Sequence, residues 1–138
     1  MANDLERAKF WQEFICTRCD FPEPEKLRVQ FAVASITRFC DCGCNSFDVS
    51  VPASADIEPL ATKASSHQAA FFDATFAVSE DELQTLEIVL FADENGNLCG
   101  VDVMFCANAF PVPDVFDIRG GPFTGINRVL RNTAKSGL

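Results

Sequence analysis

Residues 85–106 read TLEIVLFADENGNLCGVDVMFC, and this stretch decides the fold. Asn95-Gly96 is the preferred pair for a two-residue type I′ turn, which needs positive φ at both positions. With those two residues as the loop, Ala92 faces Cys99, Leu90 faces Val101, Ile88 faces Val103 and Leu86 faces Phe105. All eight are apolar or small and fall on one side of an antiparallel pair. The opposite side carries Glu87, Val89, Phe91, Asp93, Leu98, Gly100, Asp102 and Met104, a mixed acidic and apolar face.

Working outward, residues 70–78 place Phe72, Ala74, Phe76 and Val78 at period two, a third strand joined through the SEDEL connection. Upstream, residues 35–41 and 46–51 predict two short strands around a CGCN turn. In the second, Phe47, Val49 and Val51 alternate with Asp48 and Ser50. The chain starts with helical periodicity. Residues 3–18 can be capped by Asn3 or Asp4 and align Leu5, Phe10, Phe14 and Trp11. After the break at Pro22 and Pro24, residues 24–34 carry Leu27, Phe31 and Ala34 at helical spacing. Residues 52–68 predict a polar loop. The segment 111–125, PVPDVFDIRGGPFTG, predicts irregular chain because of its Pro and Gly content. The expected architecture is α+β, with two N-terminal helices packed on an antiparallel sheet of four or five strands. At 138 residues it reads as a single domain, with 119–138 as a basic C-terminal extension.

Charge narrows the function classes. The chain has 11 basic and 20 acidic side chains, a net of −9. Four of the basic residues, Arg119, Arg128, Arg131 and Lys135, lie in 119–138 with no acid. Residues 1–118 therefore hold 7 basic against 20 acidic groups, a net of −13. Such a body disfavours nucleic acid and anionic membrane surfaces and favours a basic protein partner. The start is charged and amphipathic, without an apolar signal core, so the expected compartment is cytoplasmic, where cysteines stay reduced or bind metal.

Seven cysteines invite a zinc reading. Cys16 and Cys19 form a C-x2-C pair, and Cys40, Cys42 and Cys44 could supply the remaining ligands. Against it, Cys16 lies near the end of an amphipathic helix, where a thiol commonly serves as a small buried hydrophobe. A redox role for C-x-x-C needs a helix N-terminus, and CTRC sits at the wrong end. A Cys42 or Cys44 nucleophile would need a base, and His67, the one histidine, lies in a polar loop. Asp73 and Asp102 are the carboxylates set within apolar runs. No catalytic constellation emerges, so the expectation is a protein that is not an enzyme and needs no cofactor. Within FCDCGCN, residues 39–45, Gly43 reads as the residue that lets the chain reverse. Phe39 and some of the thiols are expected to pack beneath the helices.

Two stretches carry a family resemblance. LRVQFAVASITRFCDCGCNSFDVSVP and VLFADENGNLCGVDVMFCANAFPVPD, spanning residues 27–114, resemble small bacterial proteins in which a helix precedes a C-x-C-G-C segment and an alternating strand. These are similar to the cytosolic immunity proteins of toxin–immunity systems, including contact-dependent growth inhibition. The resemblance implies a protein without a reaction of its own that neutralises a cognate basic toxin domain, such as a nuclease. Acids ringing apolar anchors suit that partner. The candidate contact residues are Glu80, Asp81, Glu82, Glu87, Phe91, Asp93, Glu94, Asp102 and Met104. The alternative is a zinc-stabilised structural or binding module.

Overall fold

A computed structural model describes residues 3–61, 69–79 and 84–127. Helix α1 spans Leu5–Arg18 and α2 spans Pro24–Val33. Strands β1 (Ser35–Phe39), β2 (Phe47–Ser50), β3 (Ala69–Ala77), β4 (Thr85–Ala92), β5 (Leu98–Phe105) and β6 (Gly120–Ile126) follow. They form one six-stranded sheet in the order β1-β2-β5-β4-β3-β6, with every described pairing antiparallel. The α+β class is as expected, with six strands rather than four or five.

The extra strand is β6, in the segment expected to be irregular. Pro122 has no N–H to give a ladder, which argues against a central strand. β6 pairs with β3 alone and lies at the sheet edge, where a missing donor on the open side costs nothing.

The β4–β5 register holds over most of its length: Leu86 faces Phe105, Ile88 faces Val103 and Leu90 faces Val101. It fails at the turn. A shift between Phe91 and Ala92 pairs Ala92 with Leu98 instead of Cys99. The loop is longer than two residues. The Asp93 N–H donates to the Asn97 carbonyl (2.8 Å), and the Gly96 N–H donates to the Asp93 carbonyl (2.9 Å). One Asp93 oxygen accepts from the Asn95 and Asn97 N–H groups. That side chain stabilises an alternative to the I′ turn in which Gly96 alone has positive φ (+82°). The bulge turns Leu98 into the core at 0% exposure and leaves Cys99 half-buried.

The helices cover one face of the sheet, here the inner face. Phe14 of α1 meets Phe76 of β3 edge-on with centroids 5.4 Å apart, and Phe21 between the helices packs on Phe71 and Phe72. The buried stripe of α1 is Arg7, Ala8, Trp11, Phe14 and Ile15. Leu5 and Phe10, expected on that stripe, are 54% and 44% exposed. Trp11 selects the stripe. Its fully buried ring stacks on Phe116 at 5.8 Å, and i±3/i±4 neighbours of Trp11 follow it inward while Leu5 and Phe10 rotate out. On α2, Gln30 is fully buried with Leu27. Its amide donates to the Glu58 carbonyl and to Asn97, and its carbonyl accepts from the Leu98 N–H, all at 2.9 Å. Gln30 thus ties α2 to the bulged end of β5 and satisfies a backbone N–H that the bulge frees from the ladder. Among the described residues no helix is long and apolar enough to cross a membrane.

Candidate functional site

The β1–β2 connection, residues 40–46, is the most elaborately held loop described. Gly43, at φ +105°, makes the reversal that the sequence assigns to it. The Cys40 N–H donates to the Ser46 carbonyl at 3.0 Å, closing the loop. Asn3, ahead of α1, donates its amide to both the Cys40 carbonyl (2.9 Å) and the Ser46 carbonyl (2.8 Å). Capping of α1 falls instead to Asp4, which accepts from the Arg7 N–H. The Asn45 N–H donates to the Val103 carbonyl, and the Val112 N–H to the Gly43 carbonyl.

The loop is anchored through Asn45, which is 1% exposed. Its side-chain oxygen accepts from Arg7 Nε at 2.9 Å and Trp11 Nε1 at 3.0 Å. Arg7 also donates to the Pro113 carbonyl at 2.9 Å and lies over the Trp11 ring at 5.4 Å. Burial lowers the Arg7 pKa, opposed by the Asp114 and Asp4 carboxylates. Neither Arg7 nor Asn45 stands out in the sequence. An Arg in the first turn of a charged helix and an Asn after a Cys-Gly-Cys turn both read as solvated, and only their contact, 38 residues apart in sequence, gives them a role.

This scaffold brings Cys40, Cys42 and Cys44 together, with all three Sγ atoms within 4.8 Å of one another. Cys40 Sγ lies 3.0 Å from Cys42 Sγ, which lies 3.1 Å from Cys44 Sγ. Cys42 is exposed, Cys40 half-buried and Cys44 buried. The Cys40 S–H donates to the central sulfur, which also contacts Cys44 Sγ, the Cys44 backbone and Asn108. Together they lower the Cys42 thiol to about 7. Cys40, whose proton is held in that bond, is pushed up to about 11. Phe39 packs against the core and Cys44 is buried, as expected in part, but the three thiols do not lie beneath the helices. They line a cavity of about 200 Å³ that also takes in Arg38, Asp48, Asp102, Met104 and Asn108, on the sheet face opposite the helices.

The C-x2-C pair does not join them. Among the described residues, the only cluster of metal-capable groups is the trio itself. Cys16 sits in the last turn of α1 and Cys19 caps it. Desolvation pushes their thiols up to about 11 and about 12, the behaviour of packing groups. Cys42 is therefore the reactive thiol. At pH 7 it should be alkylated by iodoacetamide roughly 5-fold faster than free cysteine, because a lowered pKa keeps more thiolate at neutral pH. Its absolute rate should fall as pH drops below 7 and the thiolate is protonated, whereas the advantage over free cysteine should vanish above about pH 8, where the free thiol ionises too. Mass spectrometry of peptides after a timed pulse checks this.

The remaining candidates distribute as follows. Glu87, Phe91, Asp102 and Met104 lie on the outer sheet face, all half-buried. Cross-strand rows place Glu87 beside Met104 and Thr75, and Asp102 beside Val89, which neighbours Asp73. Asp48 of β2 faces Gly100 and pairs with Arg38 at 3.1 Å. Burial raises the Asp102 pKa, aided by Asp48 and opposed by the Ser46 hydroxyl that it accepts from. Ser46 in turn accepts from the Val103 N–H at 3.0 Å. Asp93 is committed to its turn and Glu94 is exposed at the tip. Leu98, expected on this face, is in the core. Glu80, Asp81, Glu82 and His67 lie outside the described residues, as do Arg128, Arg131 and Lys135. No protein-family model, curated protein or solved structure matches the chain.

Proposed function

We propose that the protein is an acidic, immunity-type binding protein that neutralises a basic toxin domain through the outer face of its sheet. The observation that carries this reading is the composition of that face. Asp48, Asp73, Glu87 and Asp102 alternate across adjacent strands with Val89, Phe91 and Met104. Apolar groups provide area to desolvate, and the carboxylates set sign and register. With a body charge of −13, the preferred occupant is a cationic protein, and a nuclease domain is cationic because it must hold phosphate. Rigid strands present these groups, so little ordering entropy is lost on binding. Asp93 drops out of the contact set because its carboxylate holds the hairpin turn.

Calorimetric titration against the protein encoded by the adjacent gene tests the reading. A one-to-one complex with Kd below about 1 µM is expected, weakened at least 10-fold by Glu87→Lys with Asp102→Lys, since reversed charges in an interface cost several kcal/mol. Raising salt should weaken it further. No heat of binding at 20 µM of each protein, roughly 20-fold above the expected Kd, would refute it.

A further inference from the structure

We propose that Cys40, Cys42 and Cys44 form a binding site for a single thiophilic d10 cation, copper(I) or zinc(II). Soft thiolate ligands select these ions. A metal sitting about 2.3 Å from each sulfur requires S···S separations of roughly 3.7–4.0 Å. The three sulfurs already lie within 4.8 Å of one another, with two of the separations at 3.0 and 3.1 Å. Spreading by less than about 1 Å would seat the ion at that bond length.

Three further observations favour a built site over a chance cluster. The loop is organised by the protein itself: Asn3 clamps both of its ends and Asn45 pins it to Arg7 and Trp11. The fold therefore does not depend on the metal, and the ligands are held in place before it arrives. Exposed Cys42 beside the open cavity supplies an entry path. The same cavity offers both kinds of additional donor, the Met104 thioether for copper(I) and the Asp102 carboxylate for zinc(II). On binding, each thiol releases its proton to solvent and donates a sulfur lone pair to the cation, with no change of oxidation state.

The test uses the full-length, fully reduced protein under anaerobic conditions. It is titrated separately with copper(I) and zinc(II), each against a chromophoric competitor, with stoichiometry read by native mass spectrometry. One ion per chain is expected in at least one arm, and the arm that binds identifies the cation. Cys42→Ser and Cys40→Ser should each weaken binding roughly 100-fold, since a ligand matters at least as much as its supporting shell. Cys16→Ser and Cys99→Ser should leave affinity within about 2-fold, as thiols outside the cluster. Because Cys42 is exposed, its variant should keep the parent circular dichroism spectrum. Absence of a one-to-one complex with either ion, or undiminished binding by both Cys42→Ser and Cys40→Ser, would overturn the site. The site adjoins the proposed partner surface without depending on it, so failure here leaves toxin binding untouched.

Discussion

Asn45→Ala should destabilise the protein by about 3–4 kcal/mol, because it strands a neutral and a charged donor at once. The Asn45 oxygen is the acceptor for both Trp11 Nε1 and Arg7 Nε. Trp11 is 0% exposed and Arg7 5%, so water does not readily replace what is lost. A buried neutral donor left unpaired costs about 1–3 kcal/mol, and a charged one more. Arg7 keeps its bond to the Pro113 carbonyl, which sets the upper limit. For a chain of this size, the melting temperature should fall by roughly 10–15 °C. Trp11→Phe supplies the internal control. It removes the indole donor, so adding it to Asn45→Ala should cost less than adding it to the parent. That non-additivity is the signature of a shared acceptor. Additive losses in a denaturant double-mutant cycle would show that the Trp11–Asn45 bond contributes little.

Gly96→Ala should cost at least about 3 kcal/mol, through left-handed backbone strain and a backbone collision. Gly96 has φ +82°, and a Cβ there would lie 2.1 Å from the Ala61 carbonyl oxygen. The obstacle is main chain and cannot swing aside. Relief would require moving the Leu60–Ala61 segment, whose two N–H groups donate to the Gly96 carbonyl at 2.8 and 3.1 Å. Leu60 is fully buried, so the movement would disturb the core as well. Gly120→Ala is the contrasting case. A Cβ there meets only the Ala77 Cβ at an ordinary 3.6 Å, and a change within about 0.5 kcal/mol is expected. Urea midpoints of the two variants, taken side by side, check the distinction.

How far the sequence reaches can be judged from these same residues. Period-two alternation in β4 and β5 places Leu86, Ile88, Leu90, Val101, Val103 and Phe105 correctly, because one buried face fixes register. The Asn-Gly signal finds the hairpin but mistakes the turn, since the Asp93 side chain outweighs the I′ preference and shifts Leu98 inward. β6 escapes detection because Pro and Gly signal turns, and only its place at the sheet edge makes them tolerable. The helix stripe is misjudged at Leu5 and Phe10 because hydrophobicity alone cannot tell which side Trp11 takes. Spacing raises the cysteines in FCDCGCN only as zinc ligands alongside Cys16 and Cys19, and C-x-C does not say whether three thiols converge. That outcome depends on Gly43 and on the long-range clamps from Asn3 and Asn45, and polar residues making such contacts carry no local signal.

The outer sheet face is the centre of the functional reading, and carboxyl footprinting tests it most directly. The protein would be labelled with a carbodiimide and a small amine, free and mixed with the product of the adjacent gene, and each carboxylate quantified by peptide mass spectrometry. Glu87 and Asp102 are expected to lose at least about two-thirds of their labelling in the complex, as fully desolvated interface groups should. Glu13 and Glu25, on the opposite helical layer, should label as before. Protection of the helical carboxylates with Glu87 and Asp102 unchanged would contradict the assignment of the binding face.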